Sequence, residues 1–510
     1  MIAVLRRRGT SVLPAAVAIL AGLFGAALAA VMLSLQTKYT VALLGLLAVT
    51  LVALISGRPR QVLLGISILL LPLNVETNVG YSLPHLAGAP GLVITAQMAL
   101  LVPLFLLAVV ENAANARASV ALESQDSRPA SLSIVAIVVP LVPLLGSLPS
   151  MLGTDYVDLG RYEVIRLFSF YLLYLYMVIT FRPGDIKLIV GALLVGILGQ
   201  LPIAALEYVK PDFHPQIFGQ VSGVKEELLG ATGASVSRIS GTLTHPNELG
   251  SYLILLLPMA MLFGVAKPVG FRLRLLAWLA LIAGMGMLAL TFSRGSWVGA
   301  AVGLPLALIL AAAYRQIPAG QVVFLLAAGL LTGTVVLLSP PVLNRLLESD
   351  PLNVTFRFQI AQVALNMWQS QPFTGVGLNS FVEHARAFDV DHIAILSSGG
   401  TAAGTSPPSL PVHNVYLMWL AEIGVIGALG WLAYLTWVVT RSFRAMTSSV
   451  PLGPLLAIGF LAGGTALYVG DLASFTSRID PVMQTFLIIL GVVVALGLRR
   501  DATTIEARNG

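Results

Sequence analysis

The chain contains no cysteine. Disulfides, thiolate catalysis and cysteine metal centres are therefore excluded. Charge is almost as scarce. Asp, Glu, Lys and Arg make up 10% of 510 residues, against roughly 25% in a soluble domain. What fills the space is apolar, at 57% hydrophobic residues. No soluble protein of this size keeps so much apolar surface from water, so the expected class is an all-α polytopic membrane protein. The formal net charge of +6 does not point to nucleic acid, because the basic residues stand singly between apolar runs rather than on one soluble face. Histidine is rare too, with six in the chain, and each one invites a question.

Apolar runs near the ~20 residues that cross hydrocarbon fall at 12–35, 39–56, 61–74, 92–110, 131–148, 162–181, 186–207, 248–266, 275–292, 295–313, 320–338, 414–440, 453–470 and 481–498. The third is short, so the expectation is about twelve to fourteen spanning helices. The first could pass for a signal peptide. Its apolar stretch is longer than the roughly 7–15 residues of a signal h-region, and it reads as a retained span. The expected organisation is spans and short loops over 1–338 with one outer segment at 208–247, a large loop or helical cap at 339–413, further spans at 414–498 and a tail at 499–510.

Placing Arg6, Arg7 and Arg8 in the cytoplasm puts most basic residues in cytoplasmic loops, among them Arg58, Arg60, Arg182, Lys187, Arg272, Arg274, Arg441, Arg444, Arg499 and Arg500. That alternation is the positive-inside pattern. Arg161, Arg166, Arg238, Arg294, Arg357 and Arg478 then lie on the outer side, where the rule disfavours them. Within the cap, "TFRFQIAQVALNMWQS" spaces Phe356, Ile360, Val363, Ala364 and Met367 as one face of an amphipathic helix. "SSGGTAAGTSPPSLP" reads as a loop. "TGVGLNS" is a turn that orients the cap against the membrane, since it lacks the strand and spacing of a dinucleotide fingerprint.

Polar groups from separate stretches approach the outer face: Arg161 and Arg166 in "DLGRYEVIRLF", Arg238, His245, Asn247 and Glu248 in "RISGTLTHPNELGSYL", Arg294 in "TFSRGSWVG", Arg357 in "TFRFQI", and His413 with Asn414 in "PVHNVYL". An arginine near hydrocarbon costs on the order of a few kcal/mol, so several on one face require anions. Glu163 lies three residues before Arg166, but no carboxylate lies within a helical turn of Arg294 or Arg357 in sequence. A lipid diphosphate suits guanidinium forks.

"LTFSRGSWVGAAVGL", "RFQIAQVALNMWQSQPFTGVGLNSF" and "VHNVYLMWLAEIGVIGALGWL", preceded by "GTLTHPNELGSYL", closely resemble the successive motifs of the O-antigen ligase and O-antigen polymerase superfamily. The resemblance implies a bacterial inner-membrane glycosyltransferase of lipopolysaccharide biosynthesis with a periplasmic loop and a periplasm-facing active site. It implies that a glycan moves from an undecaprenyl diphosphate carrier to a glycan or lipid A-core acceptor hydroxyl, with no nucleotide sugar, metal or other cofactor. By the same resemblance Arg294 and Arg357 bind the diphosphate and His413 sits beside the acceptor hydroxyl. The chemistry agrees. Fixed arginines stabilise charge growing on a departing diphosphate, and a neutral imidazole accepts the acceptor's proton. Direct attack inverts the anomeric centre.

Other readings stand beside these. Arg161 and Arg166 serve equally as donor ligands or as structural partners of Asp158 and Glu163. Arg238 either assists the site or holds its helix, Asn247 reads as an N-cap as well as a substrate ligand, and Asn414 joins His413 at the site. Glu383 is a second choice of base. Glu422, about nine residues into its span, is expected to be a structural hydrogen-bonding group. His214, His384 and His392 are expected in solvated loops. Polymerase and protein O-glycosyltransferase differ from ligase in the acceptor, and a transporter of polysaccharide or lipid-linked glycan is the alternative from another class.

Overall fold

In the computed structural model, residues 37–73, 75–82, 88–121, 133–210, 226–229, 234–340, 342–343, 351–389 and 411–509 are described. The expected first span, the Gly/Ser/Pro-rich loop, His214 and His392 lie outside them. Residues 1–63 and 64–510 form two compact units.

The first unit contributes helix α1 (Thr37–Ile55), and α2 (Pro59–Leu69) runs across its boundary. In the second unit the elements follow in the order β1 (Glu76–Ser82), β2 (Gly91–Thr95), α3 (Ala96–Ala121), α4 (Ile134–Leu152), α5 (Val157–Thr180), α6 (Asp185–Val209), β3 (Glu226–Leu229), β4 (Ala234–Ser237), α7 (Pro246–Val265), α8 (Phe271–Leu290), α9 (Arg294–Ala313), α10 (Ala319–Leu337), α11 (Pro351–Ser370), α12 (Phe381–Phe388), α13 (Val415–Ala445), α14 (Gly453–Gly470) and α15 (Asp480–Asn509). Among the described residues, 10 helices are long and apolar enough to cross a membrane. Three shorter apolar helices, Leu44–Ile55, Pro59–Leu73 and Ala319–Val335, coincide with further runs seen in the sequence. The protein is an all-α multi-pass membrane protein.

Two antiparallel hairpins, β1 with β2 and β3 with β4, interrupt this pattern. Hydropathy does not reveal the first of them, because its second strand, Gly91–Thr95, continues without a break into the apolar run of α3. The α4 span is also irregular. Pro140, Pro143 and Pro149 divide it into short α and 3-10 turns, since each proline removes an amide donor and clashes with the preceding turn.

The bundle is centred on α7 and on the spanning part of α15, both wholly buried. Small residues let three helices close on one another, as membrane helices do without a hydrophobic drive between them. Gly299 and Gly303 of α9 meet Ala462 and Ala466 of α14, while Gly459 and Gly463 of α14 meet Met259 and Leu255 of α7. At one end of this trio Gly295 lies against Gly470, so that a Cβ would stand 3.0 Å from the Gly470 carbonyl oxygen. That contact joins the start of α9 to the end of α14.

The cap helix α11 is amphipathic, as its spacing predicts. Phe356, Ile360, Val363, Ala364 and Met367 are buried in one apolar cluster with Val376, Phe381, Val382, Ala385, Val412, Met418 and Ala421. The cluster holds α11 and α12 on the first turns of α13.

Candidate functional site

The helix ends that meet beside Gly470 carry most of the polar residues singled out in the sequence. Asn414 is the N-cap of α13. Its side-chain oxygen accepts from the Tyr416 and Leu417 amides, each at 3.0 Å, satisfying two of the donors that a helix start leaves open. Its amide nitrogen donates to the Leu472 carbonyl at 3.0 Å, and the Val415 amide donates to the Asp471 carbonyl at 3.1 Å. The loop 471–478 is thereby tied to the residues beside His413.

His413 stands just ahead of that cap. Phe475 meets its ring edge-on with centroids 5.6 Å apart. Nδ1 is buried and has no hydrogen-bond partner among the described residues. Burial first, and the Arg357 guanidinium second, push the imidazole from its ordinary value of 6.5 down to about 4, against a smaller opposing effect of the Pro411 carbonyl. The Arg357 guanidinium thus acts on the ring although more than fifty residues of chain separate them. Arg357 projects from the exposed face of α11.

Arg294 is the first residue of α9. The turn before it is tight: Phe292 has a left-handed φ of 49°, which a bulky residue adopts only when its surroundings demand it. Ser293, at the N-cap position, makes no side-chain cap and instead shares a 2.9 Å hydrogen bond with the Ser296 hydroxyl. Gly470, which touches Gly295, immediately precedes the loop bonded to Asn414, so Arg294 and His413 flank the same short turn.

Arg238 joins this end from another side. It donates to the Thr291 carbonyl at 2.8 Å and to Asn247 Oδ1 at 2.9 Å. The N-cap of α7 is His245, not Asn247. Its Nδ1 accepts from the Asn247 amide at 3.0 Å, because the imidazole sits in the capping position and frees the Asn247 side chain for Arg238.

Arg161 and Arg166 differ sharply. Arg161 is exposed and pairs with Asp158 at 2.8 Å. Arg166 is buried and engages Glu163 through two bonds, at 2.9 and 2.6 Å, as well as Asp480 at 2.5 Å and the Arg478 carbonyl at 3.0 Å. Both structural pairings anticipated in the sequence are therefore present. Arg478 extends the network to Glu422 at 2.6 Å and approaches Glu163 at 3.5 Å. Five charged side chains from α5, α13, α15 and the loop before α15 thus form one buried ladder. A crevice lined by Trp419, Trp431, Phe170 and Met483 runs beside it.

In the sequence Arg478 stands out only as a cation on the disfavoured side, and Asp480 does not stand out at all. The available signal was a run of polar residues, "SFTSRID", wedged between two spans. Asp471 was also missed. It is fully buried and accepts from the Thr476 amide and hydroxyl and the Ser477 amide at 3.0, 2.8 and 2.8 Å, and burial pushes its carboxyl up. His384 is not in a loop: it lies in α12, packed edge-on against Tyr156 at 5.0 Å, because the apolar face of α12 joins the cap cluster. No group of three His, Asp or Glu among the described residues is disposed to hold a metal ion.

The turn 372–380 meets α13 where that helix is broken. Gly424 has φ 60° and ψ −168°. The Ala421 and Glu422 carbonyls left open there accept from the Val376 and Gly377 amides at 2.9 and 3.0 Å, and the Val425 and Ile426 amides donate to Pro372 and Phe373 at 2.9 and 3.2 Å. Non-helical backbone at membrane depth survives only when protein satisfies it in this way. Leu378 and Asn379 continue the anchorage to Ser150, Ala89 and Leu159.

Residues 277–432 match the family model described as O-antigen ligase. The matched segment contains Arg294, Arg357, His413, Asn414 and Glu422, and leaves out Arg161, Arg166, Arg238 and Asn247. No curated protein matches the chain.

Proposed function

We propose that this chain, a member of the O-antigen ligase superfamily, moves a glycan from an undecaprenyl diphosphate carrier to an acceptor hydroxyl at the periplasmic face of the bacterial inner membrane. The observation that carries the reading is His413 itself: an imidazole at the mouth of a membrane helix, with a buried nitrogen that has no partner among the described residues, and held below its ordinary value by burial and by Arg357.

In this reading Arg294 and Arg357 grip the diphosphate, with Arg238 and Asn247 supporting the turn that carries Arg294. The acceptor oxygen attacks the anomeric carbon as the bond from that carbon to the diphosphate oxygen breaks. The electron pair leaves on the diphosphate, where fixed guanidinium groups stabilise it. The hydroxyl proton passes to His413, and a positioned base of this kind contributes about 10²–10⁴-fold. Attack opposite the leaving group inverts the anomeric centre. No step calls for a metal or an organic cofactor. Arg161 pairs with Asp158 and Arg166 with Glu163 and Asp480, so in this reading both act structurally.

The test is reconstitution in lipid vesicles with an undecaprenyl diphosphate glycan and three acceptors offered separately: a lipid A-core glycan, a second lipid-linked repeat and a serine-containing protein. Transfer to the lipid A core is expected, with inverted linkage and with loss of transfer in His413→Gln. Chain extension instead would assign a polymerase, and protein modification a protein O-glycosyltransferase. Unchanged transfer by His413→Gln, or movement of the intact donor across the membrane without transfer, would overturn the reading.

A further inference from the structure

Glu422 occupies a crossing point that the proposed chemistry does not explain. One carboxylate oxygen accepts from Arg478 Nη1 at 2.6 Å, and the other accepts from the Phe381 amide, the first of α12, at 3.2 Å. Its own carbonyl accepts from Gly377 at 3.0 Å. A single residue on a spanning helix therefore holds the cap, through α12 and the 372–377 turn, and also the loop 471–478, through Arg478. Arg478 is itself fixed from behind, because its carbonyl accepts from Arg166 Nη1 at 3.0 Å while Arg166 is locked by Glu163 and Asp480.

These two bodies carry the two halves of the proposed site. Arg357 belongs to the cap, exposed at the flank of the α11 face that carries the apolar cluster. His413 is bounded by the loop, through Phe475 and through the bonds that Asn414 and Val415 make to residues 471 and 472. Apolar packing of α11 is non-directional and tolerates small slides. Charged hydrogen bonds at fixed angles do not. We propose that Glu422 and Arg478 are positioning residues that set the separation of Arg357 from His413 by clamping the cap and the 471–478 loop to the break in α13. The inference rests on the functional reading above for its consequence, but its geometry is independent of that reading.

The absence of cysteine makes a direct test available. Gln362 on α11 and Leu472 on the loop are both exposed. Spin labels on Gln362→Cys and Leu472→Cys, in otherwise unaltered full-length protein in vesicles, report the cap-to-loop distance. A narrow distribution is expected in this background, and a broadened or shifted one when Glu422→Gln is added. In unlabelled protein Glu422→Gln should lower kcat/KM about 10- to 100-fold, in line with the cost of roughly an ångström of misplacement. It should also move the acid limb of the rate profile upward, as His413 loses the burial and the Arg357 field that hold it neutral. Arg478→Lys, which keeps the charge, should restore part of both effects relative to Arg478→Gln. If Glu422→Gln fails to fold, the double substitution Glu422→Gln with Arg478→Gln removes both charges together and is read in the same way. An unchanged distance distribution overturns the proposal, as does a fall in rate with the distribution and acid limb both unmoved. Activity that survives His413→Gln would instead sink the functional reading and leave the distance measurement standing.

Discussion

Gly424 rests directly against the carbonyl of Phe373, and its backbone angles, φ 60° and ψ −168°, belong to a region that is essentially closed to side-chain-bearing residues. Gly375, with φ 72°, presses in the same manner on the Glu422 carbonyl. Each glycine is required by the other segment's backbone, and neither backbone can yield without releasing the bonds that close the helix break. Gly424→Ala is therefore expected to lower stability by at least about 1–3 kcal/mol from strain alone, read as a reduced thermal midpoint in detergent. A midpoint equal to that of the parent would remove the argument.

The acid limb of the transfer reaction should lie near the His413 value of about 4 rather than at 6.5 when kcat/KM is followed against pH, because that ratio reports the free enzyme. Burial is the main cause and Arg357 the second. Arg357→Gln should therefore move the limb upward but not as far as 6.5. The sign for folding follows. The unfolded chain takes up a proton first as pH falls through about 6.5, and the folded chain resists until about 4, so stability is lost with falling pH across that window. Denaturant midpoints at pH 7 and pH 5, compared between parent and His413→Gln, measure it. The substitution should flatten the difference.

The two arginines of α5 should behave as opposites. Arg161→Ala breaks an exposed pair, and such pairs contribute roughly 0–1 kcal/mol, so thermal stability and transfer should stay close to the parent. Arg166→Leu leaves Asp480 buried without its cation and Glu163 with only the more distant Arg478. Stranding a buried charge costs about 3–5 kcal/mol, and the variant should be recovered in much lower yield after solubilisation. Equal yields for the two would show that the ladder is not under electrostatic load.

Arg294→Gln should lower kcat/KM by about 10²–10³-fold if its guanidinium meets charge that grows during the reaction, as removal of one such donor does elsewhere. The loss should appear in single-turnover rates at saturating donor as well as in binding. A change confined to donor affinity would mean that Arg294 holds the ground state and no more.

Much of the architecture was legible in the sequence because hydrocarbon permits few solutions: apolar runs of sufficient length become helices. The apolar face of α11 was also readable, residue by residue, from Phe356 to Met367, since its period matches the helix. That Arg357 and His413 serve one site is an implication of the motif resemblance, and the lowering of the imidazole by the Arg357 guanidinium is in keeping with it. What escaped was set by contacts between distant residues. The second strand of the β1–β2 hairpin merges with the apolar run of α3. The N-cap of α7 is His245, which leaves the Asn247 side chain to Arg238. The ladder from Glu422 to Asp480 joins residues whose spacing in the chain, "LAEIG" and then "SRIDP", carries no common period.

The break at Gly424 also bears on how the protein is made. The segment 372–377 leaves the ribosome well before residues 421–426, so when the interrupted helix reaches the bilayer its complement has already been synthesised. Each open amide and carbonyl of the gap can be quenched as it emerges, and insertion need not wait for a later part of the polypeptide. Order of synthesis thus does for this helix what continuous hydrogen bonding does for the others.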